Sequence, residues 1–199
     1  MSKEVEQMLV AERRELAQMC AGLTSEQWNS PSLCVGWRVR DVVAHLNGNY
    51  HDFKDFFQLP FGPEHANARQ VAKRHDWPIS RLTAETLNSI NTPRLLKLGP
   101  ITTFVLYDTW VHQQDIRWPL HLSRTQDPAR MRSVLKTALG AGAGARKLQG
   151  MRLVANDFEW THGTGPEIVG PSEALAMLLA DRPAAWERLE GAGVARARN

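Results

Sequence analysis

Ile101-Thr-Thr-Phe-Val-Leu-Tyr-Asp108-Thr-Trp-Val-His112-Gln-Gln-Asp115-Ile-Arg117 is the stretch on which the reading of the fold turns. At about 100° per residue, Ile101, Phe104, Val105, Val111 and Ile116 mark one apolar stripe of a helix that ends by Pro119. Asp108, His112 and Asp115 fall inside that stripe. Their spacings of four and three place them one above the other on a single helix face. Carboxylates and imidazoles in a core are costly unless paired, hydrogen-bonded or bound to a metal. The pair Asp108/His112 is the geometry by which one helix offers two ligands to a metal. Equally, His112 can hydrogen-bond Asp108 or Asp115 inside a bundle.

A second helix bears on that choice. Residues 38–57 carry a stripe at Val39, Val42, Val43, Leu46, Tyr50 and Phe53, with His45 at its edge near Val42 and Asn49, and His51 pointing away. Taken alone, His45 reads as a satisfied core histidine. With Asp108 and His112 on another helix, two nitrogens and one oxygen can converge, and three protein ligands plus an open position is the catalytic arrangement for zinc.

Outward from these two helices the chain reads as a bundle. Residues 3–21 show a helical period at Val5, Met8, Leu9, Glu12, Leu16 and Met19, stopped by Gly22. Residues 23–28 read as a short turn capped by Thr24 or Ser25, and 29–37 as an ordered connection rich in breakers. Residues 60–67 break the second helix, and a third starts near Pro78. The Asp108/His112 helix, from about 100 to 117, is the fourth, which gives a four-helix bundle. Beyond about 125 the pattern changes. A capped helix over 127–139 is followed by strands over 151–157 and 167–170, then helices over 173–180 and 183–189. The expected division is therefore 1–124, an α-helical bundle with the metal site, and 125–199, a small α+β domain.

Composition bounds the partners. The chain has 199 residues and a net charge of +3. Its charges are well mixed, and Arg196 and Arg198 read as a frayed tail. No basic stripe with interleaved aromatics appears, which argues against nucleic acid. No run approaches the ~20 apolar residues of a membrane span, and the polar N-terminus has no secretory character, so the cytoplasm is the expected compartment. Neither Cys20 nor Cys34 belongs to a CxxC pair. Cys34 lies just before a helix start, where a thiol can be mildly activated, but it reads better as a small packing residue. Trp110 and Trp118 flank the polar stripe and read as packing. There is no phosphate loop, GxSxG elbow or HExxH motif.

Residues 23–46, LeuThrSerGluGlnTrpAsnSerProSerLeuCysValGlyTrpArgValArgAspValValAlaHisLeu, together with 107–120, TyrAspThrTrpValHisGlnGlnAspIleArgTrpProLeu, resemble the actinobacterial mycothiol-dependent maleylpyruvate isomerase family. Residues 158–170 and 178–186 look like that family's smaller second domain. The resemblance implies a DinB-like four-helix bundle followed by a sterol-carrier-like α+β domain. It implies a divalent metal, zinc, on His45, Asp108 and His112. In the isomerase itself the acidic ligand is glutamate, and Asp108 is one methylene shorter. Asp115 matches a recurring family aspartate, either a group that orients His112 or a buried structural ion pair. The implied cosubstrate is mycothiol, whose thiolate acts on a small electrophile by isomerisation or S-transfer in a pocket between the domains. Arg182 best matches a family arginine from the second domain, against the plainer reading of a charge at a helix end. The rival function is a non-catalytic metal- or ligand-binding protein. A monomer or homodimer is expected.

Overall fold

The computed structural model describes residues 2–52, 63–90 and 100–198. These divide into two compact units, Met1–Ser123 and Arg124–Asn199.

The first unit is built on four long helices. They are α1 (Ser2–Gly22), α3 (Val39–His51), α5 (Ile79–Ser89) and α6 (Pro100–Arg117). Helix α1 packs on α5 and α6, and α3 packs on α5 and α6. Leu16, Val39, Val42, Val43, Leu46, Leu82 and Ile116 form one apolar cluster, and Leu9, Tyr50, Val105 and Leu106 a second. The expected stripe of α6 is buried at Val105, Val111 and Ile116, but Phe104 is 46% exposed, because it lies at the stripe's edge. Helix α3 is buried from Asp41 to Tyr50 on every face, so His45 is a core residue at 1% exposure and not an edge one. The residues 53–57 expected to extend this helix lie outside the described residues.

Local chemistry fixes the ends. Thr24 caps α2 (Ser25–Asn29), and Gln27 reaches back to the Thr24 N–H, completing a capping box. Asp41 in the first turn of α3 accepts the Arg38 N–H at 3.0 Å and suits the positive end of the helix dipole.

Two expectations are corrected in this unit and the next. The break placed over 60–67 is, in its described part, the start of a helix, α4 (Pro63–Ala72). Proline is compatible with a first helical position, where no N–H is needed. Helix α4 packs on α3 across Gly48, where a Cβ would lie 2.6 Å from Gln70 Cβ. The absent side chain at Gly48 is what allows that approach. The tail at Arg196 and Arg198 is also helical, as part of α9 (Ala192–Arg198). Its Gly193 is buried against the last strand of the second unit, a contact that outweighs the poor local propensity.

The second unit opens with α7 (Pro128–Ala141), capped by Asp127 accepting the Arg130 N–H at 2.7 Å. A three-stranded sheet follows in the order β2-β1-β3, from β1 (Arg152–Ala155), β2 (Thr161–His162) and β3 (Glu167–Gly170). Strands β1 and β2 are antiparallel with Leu153 opposite His162. Strands β1 and β3 are parallel with Leu153 opposite Ile168. Helix α8 (Ser172–Leu179) packs on α7 and the sheet. The two-residue β2, unforeseen in sequence, is too short to show alternation. No described helix is long and apolar enough to cross a membrane.

Candidate metal centre

The site is assembled by α3 and α6. Nε2 of His45 faces Asp108 Oδ2 at 3.5 Å, and Nε2 of His112 faces Asp108 Oδ1 at 3.6 Å. One ligand atom from each of the three residues lies within 4.8 Å of the others. A tetrahedral zinc with bonds of about 2.0–2.1 Å to nitrogen and oxygen requires donor–donor edges of roughly 3.4 Å. The two distances run to the two oxygens of one carboxylate and the ligand atoms all lie within 4.8 Å of one another, so the donor set is of a size and kind that could hold a small divalent cation. The Asp108 and His112 side chains are 18% and 13% exposed, which leaves an approach from solvent on their side.

Each imidazole is set in the tautomer a metal requires. The Gln70 carbonyl oxygen lies 3.1 Å from His45 Nδ1. An amide oxygen can only accept, so Nδ1 carries the proton and Nε2 presents its lone pair to the site. Asp115, fully buried, lies 2.9 Å from His112 Nδ1 and accepts its proton. Cys34 donates its S–H to the same Asp115 oxygen at 3.1 Å and sits 3.4 Å from His112 Nδ1. Asp115 therefore orients His112 from behind, and it forms a second cluster with Cys34 and His112.

The connection before α3 brings Cys34 there. Pro31 bridges Arg38, Trp37 N–H donates to Cys34 O, and Leu33 N–H donates to Asp115 O, each hydrogen bond at 3.0 Å. Gly36 has a φ of +79°, a conformation the turn needs and glycine tolerates. The turn places the Trp37 ring 5.4 Å from that of His45 and 6.5 Å from that of His112.

Charge follows from this packing. Burial works against ionised Asp108, but His112, His45 and Arg13 outweigh it and hold the carboxyl below its ordinary range. Burial also works against a charged His112, but the Asp108 carboxylate and hydrogen bonding with Asp115 and Cys34 raise it well above the ordinary histidine value. Without a metal, the pair is an ion pair. Arg13, 1% exposed on α1, is pushed down to about 10 by burial.

The three candidate ligands read from sequence are thus brought together, with Asp115 behind one of them. Arg182, in the second unit, begins a short 3-10 turn (Pro183–Arg188), and its guanidinium donates to Ala180 O at 2.9 Å. It lines a cleft of that unit with Lys147, Asp181 and Trp186. Cys34 is more than the packing residue expected, since its thiol joins the Asp115/His112 network. Gln70, Asn49 and Trp37 went unrecognised in sequence. Only the i, i+4 spacing of Asn49 from His45 could have flagged one of them.

No curated protein matches this chain by sequence. Two crystal structures share its fold. One is the mycothiol-dependent maleylpyruvate isomerase, with TM-score 0.67 and 12% identity, over 96% of this chain and 93% of that one. The other is a histidine-to-alanine mutant of an enzyme so named, with TM-score 0.68 and 11% identity over the same shares. Residues 9–88, which include His45 and stop before Asp108, match the mycothiol maleylpyruvate isomerase N-terminal domain. Over that segment, the chain is similar to the mycothiol maleylpyruvate isomerase N-terminal domain family.

Proposed function

We propose that this protein is a divalent-metal-dependent enzyme that activates a low-molecular-weight thiol, mycothiol, for isomerisation of a small electrophile or S-transfer onto it. The observation that carries the reading is the convergence of His45 Nε2, the Asp108 carboxylate and His112 Nε2. Zinc suits two imidazoles and a carboxylate. A metal held there supplies Lewis acidity that lowers the pKa of a coordinating thiol, and the thiolate is the nucleophile.

The chain's own residues do the rest. His45, Asp108 and His112 hold the cation and neutralise part of its charge with one carboxylate. Gln70 and Asp115 fix the two rings. Trp37 lies close to both imidazoles and shields that side from water. The partly exposed edge at Asp108 and His112 is where thiol and electrophile enter.

The test is metal content by mass spectrometry on wild type and on a His45→Ala/His112→Ala double mutant, followed by calorimetric titration of the zinc-loaded wild type with mycothiol. Near-stoichiometric metal lost in the mutant, with heat on adding the thiol, supports the reading. Metal without thiol binding reduces the protein to a metal-binding module. No metal after reconstitution removes the site altogether.

A further inference from the structure

We propose that Asn49 is a fourth protein ligand of this centre, and that its amide turns over when the metal binds. The inference rests on the metal reading above. It concerns an amide that neither the sequence motifs nor the three-ligand arrangement includes.

Asn49 is 5% exposed. Its Nδ2 lies 2.6 Å from Asp108 Oδ2 and 3.3 Å from His45 Nε2. Those are two of the atoms that would hold the metal. Since His45 carries its proton on Nδ1, facing Gln70, Nε2 is an acceptor, and so is the carboxylate. The Asn49 N–H groups are therefore donors directed at two lone pairs that a cation would use. Without metal the amide nitrogen serves as the cation's stand-in and neutralises the same lone pairs with protons.

The single lone pair of His45 Nε2 cannot serve a metal and an N–H donor at once, so a bound metal takes that acceptor from the Asn49 amide and favours turning its nitrogen away. Half a turn about the terminal bond of the side chain brings Oδ1 to the place Nδ2 occupies now. The carbonyl oxygen is a good metal donor, whereas the amide nitrogen, whose lone pair is delocalised, is not. The present orientation also leaves Oδ1 buried with no hydrogen-bond partner among the described residues. Coordination would give this unpaired acceptor a partner, with the amide nitrogen then taking the position Oδ1 occupies now.

The helix geometry supports the same conclusion. His45 and Asn49 are one turn apart on α3, as Asp108 and His112 are on α6. Each helix then contributes an i, i+4 pair of donors. The resulting set of two nitrogens and two oxygens leaves a thiol sulfur to enter as a fifth donor, a coordination number zinc accepts.

The experiment uses the full chain loaded with Co(II) and with zinc, in wild type, Asn49→Leu, Asn49→Asp and His112→Ala. Leucine keeps the volume and removes every donor, while aspartate keeps the oxygen. The expected result is a 10–100-fold rise in the metal Kd of Asn49→Leu, the size of effect seen when a metal site loses a supporting group. It should come with a changed Co(II) ligand-field spectrum. Asn49→Asp should keep the wild-type band shape and bind at least as tightly. Nuclear Overhauser contacts from the wild-type Asn49 amide protons to the His45 ring should be present without metal and vanish with zinc. This last reading needs no variant to fold. A wild-type Co(II) spectrum with Kd within twofold in Asn49→Leu, or amide contacts that persist with zinc bound, overturns the assignment and leaves the three-ligand site standing. Wild type that binds no metal, like His112→Ala, overturns both.

Discussion

Replacing Gln70 tests how much of the centre is set by a residue that touches no metal. Gln70 is fully buried on α4, and its Oε1 faces His45 Nδ1 at 3.1 Å. Gln70→Met keeps the length and bulk but removes the acceptor. The His45 Nδ1–H, on a residue 1% exposed, is then stranded in an apolar setting, at a cost of about 1–3 kcal/mol. The ring can avoid that cost by moving its proton to Nε2, where Asp108 accepts it. That shift closes the lone pair a metal needs. Loss of such a supporting partner typically weakens a metal site 10–100-fold, equivalent to about 1.4–2.7 kcal/mol. Zinc affinity should be measured by competition with a chromophoric chelator, with circular dichroism confirming that the variant is folded. Gln70→Glu should reverse the sign, since a carboxylate accepts the Nδ1 proton more strongly and makes Nε2 a better donor. A folded Gln70→Met whose zinc Kd stays within twofold of wild type would refute the claim that Gln70 sets the tautomer.

Three further outcomes follow from the same geometry. Gly48→Ala would gain about 1 kcal/mol of helix propensity, but its Cβ would meet Gln70 Cβ at 2.6 Å, and overpacking costs about 1–3 kcal/mol; the denaturant midpoint should fall and zinc should bind more weakly, and an unchanged or higher midpoint would show that α4 yields freely. In the metal-free protein His112 is raised and Asp108 lowered, so His112 stabilises fully below its unfolded pKa and loses that contribution as pH rises through its folded value, whereas Asp108 stabilises above its unfolded pKa and loses it as pH falls through its folded value. Zinc must displace the His112 proton, so binding at neutral pH should release about one proton, read as a buffer-dependent heat in calorimetry; equal heats in buffers of different ionisation enthalpy would contradict the protonated state. Cys34→Ala should leave metal stoichiometry intact and cost about 0.5–1.5 kcal/mol of stability, the worth of one hydrogen bond to Asp115; loss of the metal would instead make Cys34 a ligand.

What sequence conveyed here was decided by how much of each signal is local. Asp108 and His112 were legible because a polar group inside an apolar helical stripe violates a periodic pattern and four-residue spacing puts them on one face, whereas His45, at the edge of its stripe, stood out only beside that pair. The fold class was legible for the same reason, from helices long enough to show a period. Helix α4 was not, because prolines and a glycine over 60–63 read as a break, although Pro63 only opens the helix. With α4 unseen, Gln70 had no face to point from, and nothing marked Gly48 as the contact point for α4. Cys34 is separated from His112 by 78 residues. Only the turn at Gly36 and the bond from Leu33 N–H to Asp115 O bring them together, and neither leaves a pattern in the chain.

The resemblance implies a glutamate where this chain has Asp108, and the placement of the shorter acid bears on that difference. A carboxylate that must reach a metal from one side loses about one C–C bond of range with the missing methylene. Asp108 does not reach from one side. One oxygen faces His45 and the other faces His112, at 3.5 and 3.6 Å, so the carboxylate lies between the rings and its short stem suffices. The tight fit of α3 against its neighbours makes this possible, since α3 is buried on all faces from Asp41 to Tyr50. A longer side chain at 108 would have to fold back, or displace Asn49 from its 2.6 Å contact with Asp108. In this chain, then, the shorter acid and the Asn49 amide are complementary. The Asn49 amide stands against the Asp108 carboxylate, where a longer acid would have to compete with it.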